Sequence, residues 1–511
     1  MSYPKKLLRL RPRRGAAADL PAWANPVDTL DQADNLVFRQ GVAERPEGFG
    51  QVYDPPSVAP YIIRNVQIGD TNYWVYCGAT ASYVVTGSTH TDVTHAGGQN
   101  SQTTIGKLSL ELLNQVPIFN NSLDEPMYWD GVITNNFVDL PGWTSTESCE
   151  VMVAHRFHLF AMNIDGPSGT FPEQVKFSDA AAPGTVPSSW TPAATNEAGS
   201  AILADTPGPI ISGLNLRSSL AIYKQGSTTL VDYIGGEEVF SFRTLFSQLG
   251  ALTRHAVTDV NGSHFIVTDG DIVLHDGQTP RSIAQNRRKR FLFNQLDQDN
   301  FDNLFVTYWR RRNEVWICFP EAGQTYASRA MIYDVANDAW GDRELANIAY
   351  AAPGIVSDST PDDTWDSAST TWDSTARVWN TQTYSLAEQE LVLADQSTPD
   401  FLSANDTAES LTSTWAKNDI DFNEPERFKF VRRVYIRVEA ASSIDFNVRI
   451  GTRNSTGESV AYTVSRTVNS DDGFINVEAI GKYISVEIAA TTTLPFKITG
   501  VDIEAEIRGY H

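Results

Sequence analysis

Short runs of alternating or wholly apolar residues, separated by glycine, asparagine, aspartate and proline, fill residues 60–340 of this chain. Residues 73–85 form one pair of such runs, and residues 264–275 form another around Asp269-Gly270. Alternation combined with β-branched and aromatic residues predicts strands, and an Asp-Gly pair between two such runs predicts a hairpin. We find no long amphipathic helix pattern in this region, which therefore predicts an all-β fold.

The predicted hairpins recur every 40–60 residues or so, giving five or six units, and this spacing is typical of a β-propeller. One hairpin sheet cannot bury both of its faces alone, whereas a closed ring of sheets buries them all. Two β-sandwiches in tandem are the alternative, and they predict less regular spacing. We therefore expect a propeller of about six blades.

The rest of the chain divides by composition into further segments. Residues 426–511 alternate apolar and polar positions over six or seven strands, which predicts a compact β-sandwich. The preceding stretch is strongly acidic, with sixteen acids and three bases between residues 341 and 425. The predicted organisation is an N-terminal arm and platform segment, a propeller, an acidic connecting segment and a sandwich that completes the platform, over residues 1–55, 56–350, 351–425 and 426–511.

Charge and cysteine content narrow the function classes. The chain of 511 residues has 39 Lys+Arg and 62 Asp+Glu, a formal net charge of −23, which argues against a protein that reads DNA sequence through a basic face. Cys77, Cys149 and Cys318 are far apart and form no CxxC pair, so we expect buried, reduced thiols and neither a zinc site nor a disulfide. The N-terminus lacks the apolar core of a signal peptide, and no run of 18 apolar residues predicts membrane insertion.

Basic residues are concentrated in three places. The first 14 residues contain six bases and no acid, so this arm can dock onto an acidic subunit or onto nucleic acid; a solvated, disordered tail is the alternative. The spots at 285–290 and 309–312 lack the interleaved aromatics of a nucleic-acid platform, which favours contacts with acidic protein partners. The predicted subunit or adapter contacts are Lys5, Lys6, Arg9, Arg11, Arg13, Arg14, Arg287, Arg288, Arg290, Arg310, Arg311 and Arg312.

No motif for catalysis stands out. The sequence contains no HExxH, GxSxG or Walker loop. His155 and His158 are expected in one strand, where a spacing of three sends them to opposite faces and prevents a joint metal site. Asp269, Asp271 and Asp276 could form the acid pair of a glycosidase, but turn formation explains them more simply. We therefore predict no catalytic, cofactor-binding or metal-binding residues and no enzyme activity.

Several passages of the chain resemble the tail nozzle (hub) proteins of short-tailed double-stranded-DNA bacteriophages, also called tail tubular or head-completion proteins. They lie in the N-terminal segment, in successive blades and in the last strand. They are residues 34–38 (DNLVF) with 45–49 (RPEGF); 175–179 (VKFSD) with Pro183, Trp190, 210–214 (IISGL) and 220–224 (LAIYK); 266–277 (IVTDGDIVLHDG); 330–334 (AMIYD) with Trp340; and 498–504 (ITGVDIE).

The resemblance implies a structural virion protein, made in the host cytoplasm, that forms a homohexameric ring below the portal and adapter. Its partners would be other copies, the tail adapter, and tail fibres or a tail needle. Genomic DNA would pass during ejection without sequence-specific binding, because like charge on the wall prevents the counterion release that favours DNA binding. The alternatives are a glycan-binding or glycan-cleaving propeller, such as a receptor-binding tail protein or glycosidase, and a scaffold for host proteins.

Overall fold

The structure, a computed structural model, describes residues 4–69, 71–236, 238–356, 389–406 and 409–509. These residues form strands, four short 3-10 helices and a single α-helix. The α-helix is α1 (Lys289–Gln295), and the 3-10 helices are Ala22–Ala24, Ile105–Lys107, Phe301–Asn303 and Ser470–Asp472. The first five strands are β1 (Lys5–Leu10), β2 (Gln32–Asp34), β3 (Val37–Arg39), β4 (Val42–Glu44) and β5 (Gly48–Gln51).

Five four-stranded antiparallel sheets follow one another along the chain, and in each of them successive strands pair as a meander. We number them blades 1 to 5. Their strands are β6 (Ile62–Ile68), β7 (Thr71–Cys77), β8 (Ser82–Thr86) and β9 (Thr89–Asp92); β10 (Ser109–Leu113), β11 (Val116–Asn120), β12 (Met127–Tyr128) and β13 (Val138–Asp139); β14 (Ser148–His155), β15 (His158–Gly166), β16 (Gly169–Phe177) and β17 (Gly199–Ile202); β18 (Ile210–Leu216), β19 (Ser219–Lys224), β20 (Thr228–Tyr233) and β21 (Phe240–Phe246); and β22 (Val257–Val260), β23 (Ser263–Thr268), β24 (Asp271–His275) and β25 (Pro280–Ser282).

Two further blades share one seven-stranded sheet. Its strand β29 pairs with β28 over its first part and with β30 from Ile348 onward, so one strand ends blade 6 and begins blade 7. Asn347, just before the change of partner, has φ 59°. The strands are β26 (Phe305–Trp309), β27 (Glu314–Phe319), β28 (Ala327–Asp334), β29 (Ala339–Ile355), β30 (Gln389–Asp395) and β31 (Asp400–Asp406), and β5 pairs with β31 as the outermost strand of blade 7.

The innermost strands of the blades pack against one another in sequence, from β6 through β10, β14, β18, β22 and β26 to the second part of β29, which returns to β6. This closure confirms the predicted all-β fold with a propeller. The described residues form seven blades where the sequence suggested about six, because blades 6 and 7 are joined in one sheet.

The acidic stretch predicted as a connecting segment supplies parts of both domains. Its described residues include the second part of β29 and the whole of β30 and β31, which build blade 7. They also include the next strand, which belongs to the platform. Residues 357–388 lie outside the described residues. The propeller therefore extends to β31 and includes β5, which lies in the segment predicted to belong to the platform.

The platform is a β-sandwich of two six-stranded sheets. One contains β1, β3, β4, β33, β37 and β39, and the other contains β2, β32, β34, β35, β36 and β38. Trp415, Phe446 and Ile503 are among the side chains buried between them. The strands not yet given are β32 (Leu411–Ile420), β33 (Lys429–Ala440), β34 (Asp445–Arg453), β35 (Ala461–Tyr462), β36 (Arg466–Asn469), β37 (Ile475–Gly481), β38 (Tyr483–Thr492) and β39 (Phe496–Ile507).

The basic N-terminal segment is a strand and not a free arm. Strand β1 pairs antiparallel with β39, from Lys5 opposite Glu506 to Leu10 opposite Val501. Leu8 and Leu10 point into the sandwich core, and this apolar contact anchors the segment. The chain then crosses to the propeller, where Gly15 forms a parallel bridge with Trp340 at the start of β29.

Candidate functional sites

A polar cavity of about 430 Å³ lies on the propeller axis, lined by one or more residues of every innermost strand. This volume is that of a small-molecule pocket, about 300–1,000 Å³. It is far too small for a double helix, whose major groove alone is about 12 Å wide. DNA therefore cannot pass through the axis of a single propeller in this conformation.

Arg64, Glu111 and Arg254 place opposite charges together in the wall of this cavity. Burial raises the pKa of the Glu111 carboxyl, and the two arginines partly oppose that rise. Burial lowers the pKa of Arg254 to about 10, and Nη2 of Arg254 lies 3.5 Å from Oε2 of Glu150. The positive charges of the two arginines therefore offset the negative charges of Glu111 and Glu150 from other blades. Such pairing is expected for charged groups that are removed from water.

His255 and Tyr350 complete the polar wall. Nε2 of His255 donates to the carbonyl of Leu108 at 2.8 Å, and its ring packs against Tyr350 with centroids 5.0 Å apart. Burial lowers the pKa of His255 to about 4 and raises that of Tyr350 to about 12. Both groups are therefore neutral at pH 7, and neither has a pKa suited to general acid–base catalysis at that pH.

The acids considered as a glycosidase pair act as turn formers. Oδ1 of Asp276 accepts hydrogen bonds from the backbone of Gln278 at 3.0 Å and Thr279 at 3.2 Å, which lower its pKa. Asp271 accepts from the backbone N–H of Ile272 at 2.8 Å. These bonds agree with the turn interpretation. Asp269-Gly270 connects β23 to β24 with Thr268 opposite Asp271, and Gly270 has φ +93°, as expected for the predicted hairpin.

The expectation that His155 and His158 share one strand is wrong. They are directly paired residues of β14 and β15, joined by a turn through Arg156, whose φ is 55°. Nδ1 of His155 lies 2.6 Å from Oδ1 of Asn215, while Nδ1 of His158 donates to the carbonyl of Ser178 at 2.9 Å. Among the described residues, no group of three or more His, Cys, Asp or Glu side chains could hold a metal ion.

The three cysteines are free and buried, as predicted. Burial raises the pKa of all three thiols, to about 12 for Cys77 and Cys149. They are therefore protonated and unreactive at pH 7. Within the described ranges, no helix is long and apolar enough to span a membrane.

The predicted contact residues of the propeller divide between buried and exposed positions. Arg288 is buried and forms an ion pair with buried Asp342 of β29, so it cannot contact another subunit in this fold. Arg287 pairs with Asp338 at 2.8 Å, and Arg312 pairs with Glu47 at 2.7 Å. The remaining three, Arg290, Arg310 and Arg311, are exposed.

The predicted contact residues of the N-terminus also divide. Lys6 points inward and donates to the carbonyl of Phe422. Lys5, Arg9 and Arg11 alternate with it and lie on the outer face of the sandwich. The last two, Arg13 and Arg14, follow β1 and are exposed.

Sequence reasoning missed three further arginines on the same outer face. Arg432, Arg433 and Arg437 belong to β33, which pairs with β39 on the side opposite β1. Their signal was present in the alternation of residues 430–438 (FVRRVYIRV), but sequence alone does not show which strands become neighbours.

No family model matches this chain, and no curated protein matches it. Among solved structures it is similar to a fungal alcohol oxidase of the AA5 family in complex with copper, with 10% identity over 89% of this chain and 99% of that one, at a TM-score of 0.40. It is also similar to the β-propeller domain of Myceliophteria thermophila Cps50 (Swd1), with 9% identity over 71% of this chain and 99% of that one, at a TM-score of 0.39.

Proposed function

We propose that this protein is a structural, non-enzymatic virion protein that forms the distal tail tube, or nozzle, of a short-tailed double-stranded-DNA bacteriophage. Six copies would form a ring below the portal and adapter, retain the genome end during storage and conduct it during ejection. Tail fibres or a tail needle would be further partners. The likeness of the passages quoted above to tail nozzle proteins supports this assignment.

The observation that carries the proposal is the distribution of charge. More than half of the 39 lysine and arginine side chains pair with carboxylates of the same chain. The surplus of acids, which gives the net charge of −23, therefore dominates the field around the molecule. A ring of such chains would repel the phosphate backbone, which suits a conduit that must not retain DNA.

The small size of the axial cavity favours a conduit that lies between copies. Because one propeller axis is too narrow for duplex DNA, the path would run between copies. The propellers would then act as rigid walls, and the platform would hold them in the ring.

Quantitative mass spectrometry of purified particles of the phage that encodes the chain tests this proposal. With isotope-labelled peptides as standards, we expect six copies per particle, and gold-labelled antibodies should mark the far end of the tail. The major capsid protein controls for particle number. Absence of the chain from purified particles would reject the proposal, and release of reducing sugar from host surface polysaccharide by the purified chain would favour the glycan-cleaving alternative.

A further inference from the structure

The outer face of one platform sheet collects cations in an otherwise acidic protein. Strands β37, β33, β39 and β1 lie side by side in this sheet. We call their outer surface the basic platform face. Its charged side chains are eight cations and five carboxylates: Lys5, Arg9, Arg11, Arg432, Arg433, Arg437, Lys497 and Arg508, with Glu439, Glu478, Asp502, Glu504 and Glu506.

The carboxylates of the central strand β39 lie beneath these cations. The side chains of Asp502, Glu504 and Glu506 are 1%, 17% and 10% exposed. Lys5 and Arg437, whose side chains are 61% and 54% exposed, flank them from β1 and β33. The surface that a partner meets is therefore more positive than the count of charges suggests.

Ion pairs connect the flanking cations to this row of acids. Arg11 lies 3.0 Å from Asp502, and Arg437 reaches the other oxygen of the same carboxylate at 2.6 Å. Arg432 lies 2.7 Å from Glu506. These contacts fix the arginine side chains in place, so less side-chain entropy remains to be lost when a partner binds.

Aromatic and aliphatic side chains lie between the charges. Arg433 lies over the ring of Phe474 at 5.0 Å, and Phe474 packs against Tyr435 with centroids 5.6 Å apart. A groove of about 380 Å³ includes Leu7 and Tyr435 in its lining. Leu7 and Ile480 are 48% and 50% exposed. Arginine and aromatic residues with exposed aliphatic neighbours are the composition of protein interfaces and of their hot spots.

We propose that the basic platform face binds the acidic surface of a second copy of this chain. The face is net positive while the whole chain carries −23, so the rest of the molecule offers the complementary charge. Two different patches would then meet, and such a head-to-tail contact generates a closed ring when the rotation allows it. This inference rests on the proposed function, because it names the contact that would join the copies of the nozzle.

Nucleic acid fits the same face less well. Arg11, Arg432 and Arg437 already pair with carboxylates, which leaves fewer unpaired cations to neutralise a regular row of phosphates. Arg508 lies over the ring of Phe430 at 4.1 Å and Arg433 lies over that of Phe474 at 5.0 Å, so a guanidinium group already occupies one face of each ring on which a base would stack.

Sedimentation velocity of the full chain over a concentration series tests the proposal. We expect reversible association at low ionic strength that weakens in 0.5 M salt, about the range where screening shortens to a few ångströms. The variant Arg9→Glu/Arg433→Glu should raise the dissociation constant at least about tenfold. Neither arginine has a carboxylate partner among the described residues, so these substitutions leave no buried acid unpaired.

The variant Arg156→Glu/Arg281→Glu is the matched control, because it changes the net charge equally at exposed propeller arginines. It should associate like the wild type. A wild-type chain that stays monomeric at low salt and high concentration would overturn the proposal, as would equal weakening by both variants. Single-stranded DNA binding that only the face variant loses would place a nucleic acid there instead.

The two proposals can fail separately. Loss of self-association in the face variant, together with absence of the chain from phage particles, would reject the nozzle and keep the interface. Six copies per particle, together with an unaffected face variant, would keep the nozzle and reject this interface.

Discussion

The hydroxyl of Tyr223, on the second strand of blade 4, lies 2.7 Å from Nδ1 of His264, on the second strand of blade 5. Nε2 of His264 donates to the carbonyl of Asn215 at 2.9 Å, so its Nδ1 accepts the proton of the tyrosine. Nε2 of His275 lies 2.8 Å from the same hydroxyl and donates to it. All three side chains are buried, and they form a polar link between two blades that also share a cluster of apolar side chains.

Removing this hydroxyl should destabilise the propeller. Tyr223→Phe leaves an acceptor on His264 and a donor on His275 buried without a partner, which costs about 1–3 kcal/mol in the free energy of unfolding. Tyr128→Phe is the control, because the hydroxyl of this half-buried tyrosine of β12 makes no hydrogen bond to the described residues. Urea denaturation followed by tryptophan fluorescence measures both. Equal stability of the two variants would show that the link contributes nothing.

The same histidines should make the protein sensitive to acid. Burial lowers the pKa of His264, and it lowers that of His275 to about 4, below the unfolded value of about 6.5. Between these two values the unfolded chain binds protons that the folded chain does not. The stabilising contribution is therefore complete above pH 6.5 and is lost as the pH falls, by up to about 1.4 kcal/mol per unit for each histidine.

The variant His275→Gln isolates that effect, because it removes one titrating group while other acids and histidines remain. Urea midpoints at pH 7.0 and 5.5 should differ less for the variant than for the wild type. Identical pH dependence in the two proteins would contradict the assignment.

Gly15 should not tolerate a side chain. Its φ is +75°, and a Cβ atom would lie 2.0 Å from the carbonyl oxygen of Trp340, at the junction of platform and propeller. Gly15→Ala should therefore lower the thermal midpoint by more than Gly184→Ala. Gly184 has φ +74° with no atom within 4 Å of its added Cβ, so it reproduces the backbone strain of about 1–3 kcal/mol without the clash. Equal shifts would mean that the chain moves freely at Gly15.

The Arg288–Asp342 pair should be far more sensitive than a surface pair. Its two side chains are 2% and 1% exposed, so Asp342→Asn leaves a buried arginine without its partner and costs about 3–5 kcal/mol. Asp28 pairs with Arg14 at 3.3 Å with both side chains largely exposed, and Asp28→Asn should cost less than about 1 kcal/mol. Chemical denaturation of both variants measures the difference. A small effect at Asp342 would indicate that water reaches Arg288.

A disulfide across the closing strands should stabilise the ring. Gln51 of β5 is directly opposite Leu402 of β31, a pairing whose Cα separation suits a disulfide. Gln51→Cys/Leu402→Cys should raise the free energy of unfolding by about 2–4 kcal/mol when oxidised. The same protein under reductant is the control. Failure to form the bond in the folded state would contradict the closure by β5.

Local pattern was sufficient for most of the fold. The Asp269-Gly270 hairpin and the alternation of the platform strands depend on neighbouring residues, so the sequence predicts them directly. Closure of the propeller by β5 depends on a partner more than 300 residues away, and its sequence of Gly48–Gln51 has little strand propensity. The turn between His155 and His158 lacks glycine, so two strands looked like one.

For the basic side chains, too, the sequence indicates the local structure but not the distant partner. The alternation of Lys5, Arg9 and Arg11 could have indicated a strand, but not that it lies beside β39. Arg288 looked like part of an exposed basic spot, and only the position of Asp342, 54 residues further on, explains its burial. Charge is visible in a sequence, whereas the carboxylate that neutralises it is set by tertiary pairing.

The 17-residue strand β29 has a mechanical consequence. It begins at the platform junction beside Gly15, forms the rim of blade 6, and ends at the axis beside β6, without an intervening loop. A displacement of the platform at this junction would therefore be carried along one continuous strand to the axis of the propeller. Tyr350 lies on the same strand as that junction, so such a displacement would reach the wall of the axial cavity without crossing a loop.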